Sequence, residues 1–224
     1  MARPREFDED RVVTAAMETF WRHGYEGTST RDLCESTGLG PSSLYNAFGG
    51  KRPLYLRALD RYYETSTAEQ VALLRGPGPV RDRLRAMMVH AVDADLGTDV
   101  GTDLDADLGT DGGTDGGTDP DANPDADPDG GDRRGCFAVN AAIESTAPDE
   151  DVREAVRRSF DRVESELYAI LTAGRHSGEI RATGDLHALA RRIQSTYYGL
   201  RVLGRIQRDR QALLDTVEST LADL

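Results

Sequence analysis

Apolar runs are what this chain of 224 residues most plainly lacks. None approaches the about 20 residues that a helix needs to span a bilayer, and residues 1–7 carry three charges where a secretory leader would be apolar. No membrane partner is expected, and the cytoplasm is the expected compartment. Cysteine is scarce. Cys34 and Cys136 lie far apart without a C-x-x-C or Cys/His spacing, which excludes a disulfide framework and a zinc site. The four histidines, His23, His90, His176 and His187, are scattered, and no Ser/His/Asp, Cys/His, paired-carboxylate or phosphate-cradling glycine motif accompanies them. Neither catalysis nor a cofactor is therefore expected. Lysine is nearly absent too, Lys51 being the one lysine among 27 basic residues, a bias that we attribute to GC-rich coding. Strand periodicity is missing throughout, so the chain should be all-α.

The formal charge of −13 argues against nucleic acid only until its distribution is read. Residues 93–132 hold fourteen aspartates and no lysine or arginine, so the rest of the chain is close to neutral. This tract of Gly, Thr, Asp, Pro and Ala has too few apolar residues to offset its ordering entropy, and it is expected to be a disordered insertion. Its aspartates lack the spacing of a calcium loop. A flexible polyanion could instead compete with DNA, in which case deleting residues 97–131 should tighten DNA binding at low salt.

Helical signals begin at Asp8, a good N-cap before Val13, Ala16, Met17 and Phe20, and end near Gly24. Thr28, Ser29 and Thr30 precede a short helix over 30–37, and Gly40 with Pro41 opens another over 41–48. A longer helix is expected from Arg52 to about 74, where Gly76-Pro77-Gly78-Pro79 breaks the chain. Further helices are expected over 80–92 and 136–146, from Asp149, from Asp185, and over 209–222. The organisation read from this pattern is a helix-turn-helix domain over 1–50, a connecting helix over 51–75, and a body over 76–224 that contains the acidic insertion.

Two short helices joined by Thr37-Gly38-Leu39-Gly40 form a helix-turn-helix, in which the second helix enters the major groove. Gly38 permits the left-handed backbone such a turn needs. Ser, Thr, Tyr and helix N-terminal amides donate to phosphate, and Asn can pair with adenine. The run Thr28-Ser29-Thr30-Arg31-Asp32-Leu33, then Gly38-Leu39-Gly40-Pro41-Ser42-Ser43-Leu44-Tyr45-Asn46-Ala47-Phe48, then Lys51, resembles the N-terminal signature of the TetR family. Arg134-Gly135-Cys136-Phe137-Ala138-Val139-Asn140-Ala141-Ala142-Ile143-Glu144 resembles a stretch common in one branch of it. The resemblance implies a homodimeric repressor that binds a palindromic operator in double-stranded DNA and leaves it when a small-molecule inducer binds. It places Ser42, Ser43, Tyr45 and Asn46 against DNA and Thr28, Thr30 and Lys51 against phosphates, with Ser29 and Pro41 beside them. Gly40, Pro41 and Ser42 depart from the family's usual choices, so no operator sequence carries over.

In the body, Met87, Met88, Cys136, Phe137, Asn140, Phe160, Tyr168, Tyr197 and Tyr198 are candidates to line the inducer pocket. Each could equally be core, and Tyr197, Leu200 and Leu203 could belong to the dimer interface. Cys136 reads either as a reactive thiol or as a small buried hydrophobe. The rival to a DNA reader is an interaction or sensor protein with the same fold that no longer reads an operator.

Overall fold

The computed structural model describes residues 7–96, 134–144 and 149–224, and within them every regular element is helical. In chain order these are α1 (Glu9–Gly27), α2 (Thr30–Thr37), α3 (Pro41–Phe48), α4 (Lys51–Tyr62), a π-helical turn (Tyr63–Thr67), α5 (Ala68–Arg75), α6 (Val80–Leu96), α7 (Phe137–Glu144), α8 (Glu150–Ser177), α9 (Leu186–Leu203) and α10 (Arg210–Ala222). No helix among the described residues is long and apolar enough to cross a membrane.

The N-terminal helices start where side-chain acceptors stop the chain from fraying. Asp8 accepts the N–H groups of Asp10 and Arg11, and Ser29 forms a reciprocal capping box with Asp32. Gly38, at φ 73°, ends α2 and turns the chain into α3. Phe20, Leu33, Leu44, Leu54 and Leu59 lock α1 to α4 into the helix-turn-helix head. A second core, around Leu84, Met87, Met88, Leu167, Leu171, Ile193 and Val217, holds α6, α8, α9 and α10 together as the C-terminal body.

Two elements differ from the pattern read in the sequence. The helix from Arg52 is interrupted by the π-helical turn, in which the Thr65 hydroxyl donates back to the Arg61 carbonyl and the buried hydroxyls of Thr67 and Ser159 meet at 2.9 Å. The extra residue shifts the apolar face, so that Tyr62 packs in the head core and Leu74 in that of the body. Helix α6 also runs past 92 to Leu96. Its extension is held by Arg210, which grips Asp93 at 2.7 and 3.1 Å, and by Arg201, whose Nε lies 3.0 Å from the buried Asp95 carboxylate. These two aspartates therefore belong to the folded body and not to the acidic tract, whose remaining expected course, 97–132, lies outside the described residues.

The head is not separated from the body by a break in packing. Cys136, Phe137 and Ala141 of the α7 region and Val152 and Val156 of α8 belong to the same apolar cluster as α1 and α4. The Phe137 ring meets Tyr62 and Tyr55 edge-on at 5.6 and 5.8 Å.

Candidate nucleic-acid interface and effector cavity

The candidate recognition face is built by what α3 buries. Leu44 and Phe48 point into the head core, which leaves Pro41, Ser42, Ser43, Tyr45 and Asn46 on the opposite side, all exposed. Tyr45 is 68% exposed, a large exposure for an aromatic ring, and a Cβ on Gly50 would come within 3.8 Å of the edge of that ring. Helices α1, α2, α8, α9 and α10 each begin on an Asp or Ser whose side chain accepts a backbone N–H. By contrast, α3 and α4 begin on Gly40 and Gly50, with no side-chain cap. Pro41 has no N–H, so the N–H groups of Ser42 and Ser43 in α3 and of Lys51 and Arg52 in α4 are the ones left without a side-chain cap, an arrangement suited to anionic oxygens.

Lys51, the first residue of α4, is held in place. Its ammonium lies 4.3 Å over the Tyr25 ring, a cation–π contact that restrains the amine while leaving it donors. The neighbouring Arg52 reaches the other way, to Asp149 at 2.9 and 3.1 Å and to Asp151 at 2.5 Å. Hydrogen bonding to Arg52 holds the Asp149 carboxyl below its ordinary range.

The expected phosphate contacts divide. Thr30 is exposed, and Ser29 is exposed with its hydroxyl committed to the cap of α2. Thr28 requires a correction. It is buried, its hydroxyl donates to the Gly24 carbonyl at 2.6 Å, and its N–H donates to Tyr25 at 3.3 Å. Both donors are consumed by the turn after α1, so Thr28 shapes the head and has nothing left for a phosphate.

The candidate pocket residues do not form one site. Met87, Met88, Cys136 and Phe137 are buried in the two cores. Asn140 donates to Arg134 and accepts from Arg205, and Tyr168 stacks on His187 with ring centres 3.9 Å apart. Phe160 stacks on Tyr198 at 4.3 Å and lines an open groove with Val156 and Gln194. Tyr197 lines a different space, a cavity of about 100 Å³ bounded also by Trp21, Tyr62, Gln70, Asp95, Gly135 and Arg201. Among the described residues the buried Gln70 Oε1 has no hydrogen-bond partner. The carbonyl of Gly135 accepts from Trp21 Nε1 at 3.1 Å and from Arg201 at 2.7 Å. Cys136 lies beside this cavity, where the Tyr62 hydroxyl is 3.4 Å from its sulfur. Burial holds that hydroxyl well above its usual pKa, so it stays protonated. Gln70 and Arg201 were missed by sequence reading, because a polar residue on a helical stripe gives no sign that folding will bury it.

An uncharged polar face on a short helix, uncapped helix starts and a fixed lysine, carried on an all-α body, define a helix-turn-helix DNA-binding protein. Comparison with known proteins agrees. Residues 12–58 match the family described as bacterial regulatory proteins, tetR family, and residues 129–219 match the tetracyclin repressor-like C-terminal domain. The chain belongs to the TetR family and is a DNA-binding transcriptional regulator. It is 28% identical to the uncharacterized HTH-type transcriptional regulator YezE of Bacillus subtilis strain 168, over 100% of both chains. It is 44% identical to the HTH-type transcriptional repressor ComR of Escherichia coli K12 over 72 residues, 32% of this chain and 34% of that one. Among solved structures it is similar to a cysteine mutant of the TetR family regulator CifR complexed with 26-base-pair operator DNA, with 26% identity, a TM-score of 0.74, and 99% and 98% of the two chains covered.

Proposed function

We propose that this protein is a homodimeric repressor whose two α3 helices read successive major grooves of a palindromic operator, and that a small molecule bound in its body releases it. The observation that carries the reading is the exposed, uncharged face of α3, flanked by uncapped helix starts and by Lys51. On this reading Ser42, Ser43, Tyr45 and Asn46 read bases or position the helix, with Asn46 able to pair with adenine, while Thr30, Lys51 and the backbone near Ser29 and Pro41 hold phosphates. The structural similarity to operator-bound CifR supports DNA as the partner. The cytoplasm is the compartment in which such a reader works.

Dimerisation is supported by the outer face of α9. Ser195, Gly199, Val202, Leu203 and the following Ile206 are exposed, Ile206 by 80%. A Cβ at Gly199 would meet nothing within 4 Å among the described residues, so no packing among them requires a glycine there. A partner helix crossing closely at that point would. For the effector, the cavity beside Tyr197 suits a compact molecule of a few non-hydrogen atoms that brings an N–H or O–H donor to Gln70 Oε1.

The test is a footprint of the protein on DNA flanking its own gene, at two salt concentrations, beside a Tyr45→Ala/Lys51→Ala variant. Expected is protection of a palindrome that weakens with salt and is lost in the variant. Absent protection, or protection indifferent to both substitutions, removes the reading and leaves an interaction protein on the same fold.

A further inference from the structure

The turn between α1 and α2 is closed by a residue of the body. At Gly24 the backbone leaves the helical region, at φ 75° and ψ 172°, which exposes the N–H groups of Tyr25 and Glu26. Both donate to one carboxylate: Glu144, the last residue of α7, accepts from Tyr25 through Oε2 and from Glu26 through Oε1, each at 2.7 Å. A Cβ on residue 24 would lie 2.6 Å and 2.9 Å from those two oxygens, so glycine is needed both for the turn and for the approach of Glu144. The capped residue, Tyr25, carries the ring under the Lys51 ammonium. Lys51 is thus held from one side through Tyr25, and its neighbour Arg52 is held from the other by Asp149 at the start of α8. The opposite end of α7 begins after Gly135, whose carbonyl joins Trp21 of the head to Arg201 of the body at the rim of the cavity. A helix of eight residues, about 12 Å long, therefore connects the candidate effector cavity to the phosphate-facing lysine.

We propose that Glu144 at the end of α7 and Asp149 at the start of α8 are the grip by which the body sets the reading head, and that Glu144 is its positioning residue, capping the turn after α1 and thereby holding Tyr25 and Lys51 in register with a DNA phosphate. The proposal rests on the DNA-reading function above. Two converging N–H donors call for an acceptor with two oxygens. Glutamine fills the same volume but turns an amide N–H₂ toward one of them. An effector that moves Gly135 or Arg201 shifts α7, withdraws the carboxylate and lets Lys51 drift.

The experiment compares full-length protein carrying Glu144→Gln, Lys51→Ala, both changes, or Glu150→Gln as a control on exposed α8 surface, using the footprinted operator. Glu144→Gln is expected to weaken binding about tenfold and to lower the slope of log affinity against log salt by about one, as Lys51→Ala does. The double variant should be no weaker than Lys51→Ala alone, and Glu150→Gln should match the parent. Amide exchange over residues 24–28 should quicken in Glu144→Gln while that of α4 stays unchanged. Unchanged affinity, additive losses in the double variant, or exchange that rises evenly across the head overturns the proposal. Should the parent protein protect no operator, the exchange measurement still decides the grip: quickening confined to 24–28 retains it without the DNA-reading function, and no change discards both.

Discussion

Asp95 and Arg201 form a charged pair inside the body, with Arg201 Nε 3.0 Å from the Asp95 carboxylate. Asp95 is 1% exposed and faces Arg201, a residue itself only 9% exposed. Arg201→Met takes away one buried partner of Asp95, so a loss of more than about 1 kcal/mol is expected in urea unfolding, part of it recovered when Asp95→Leu is added. A loss under about 1 kcal/mol for the single change would mean that water reaches the pair. Arg201 also donates to the Gly135 carbonyl, and the same substitution should loosen the start of α7. Residues on the recognition helix were easier to read, because an eight-residue amphipathic helix has one inward side and everything else faces out.

At the scale of elements, the start of α8 does two jobs. Asp149 caps the helix through the N–H groups of Asp151 and Val152, and it also receives Arg52 from the head. Asp149→Ala should therefore lose about 1 kcal/mol of capping together with the tether, whereas Asp149→Asn keeps the cap and loses only the charge. The pH dependence separates them. A carboxyl whose folded pKa is depressed contributes stability above its unfolded pKa of about 3.9, and that contribution disappears as pH falls through the folded value. The parent should thus lose stability in acid more steeply than Asp149→Asn, read from unfolding midpoints between pH 6 and pH 2.5. In the π-helical turn, Ser159→Ala leaves the Thr67 hydroxyl buried without its partner, and a cost of about 1–3 kcal/mol is expected by chemical denaturation. Helix caps and glycine stops made the ends of α2 and α3 legible, since those signals act within a few residues. The π turn was not legible, because the Ser159 that stabilises it lies 92 positions away.

For the whole molecule, the outer face of α9 gives a sharp test of assembly. Gly199→Ala removes a glycine from a helix interior with open space around it, so an isolated subunit should gain about 0.5–1 kcal/mol. In a dimer with helices crossing there, the added methyl should instead weaken self-association, and Ile206→Glu should weaken it further, as measured by sedimentation. Variants that associate as the parent does would move the interface elsewhere.

The sequence by itself determined the helical class, the helix-turn-helix and its outward-facing residues, because periodicity, caps and turn glycines are local and survive without knowledge of the partner elements. Only the tertiary structure decided that Thr28 spends its donors inside the turn, that Asp93 and Asp95 belong to α6, that Gln70 and Arg201 border a cavity, and that Glu144 reaches the reading head. Glu144 and Tyr25 are 119 positions apart, and the direction of a carboxylate toward two distant N–H groups is set by how α7 packs between α1 and α8. No pattern within either segment encodes that packing.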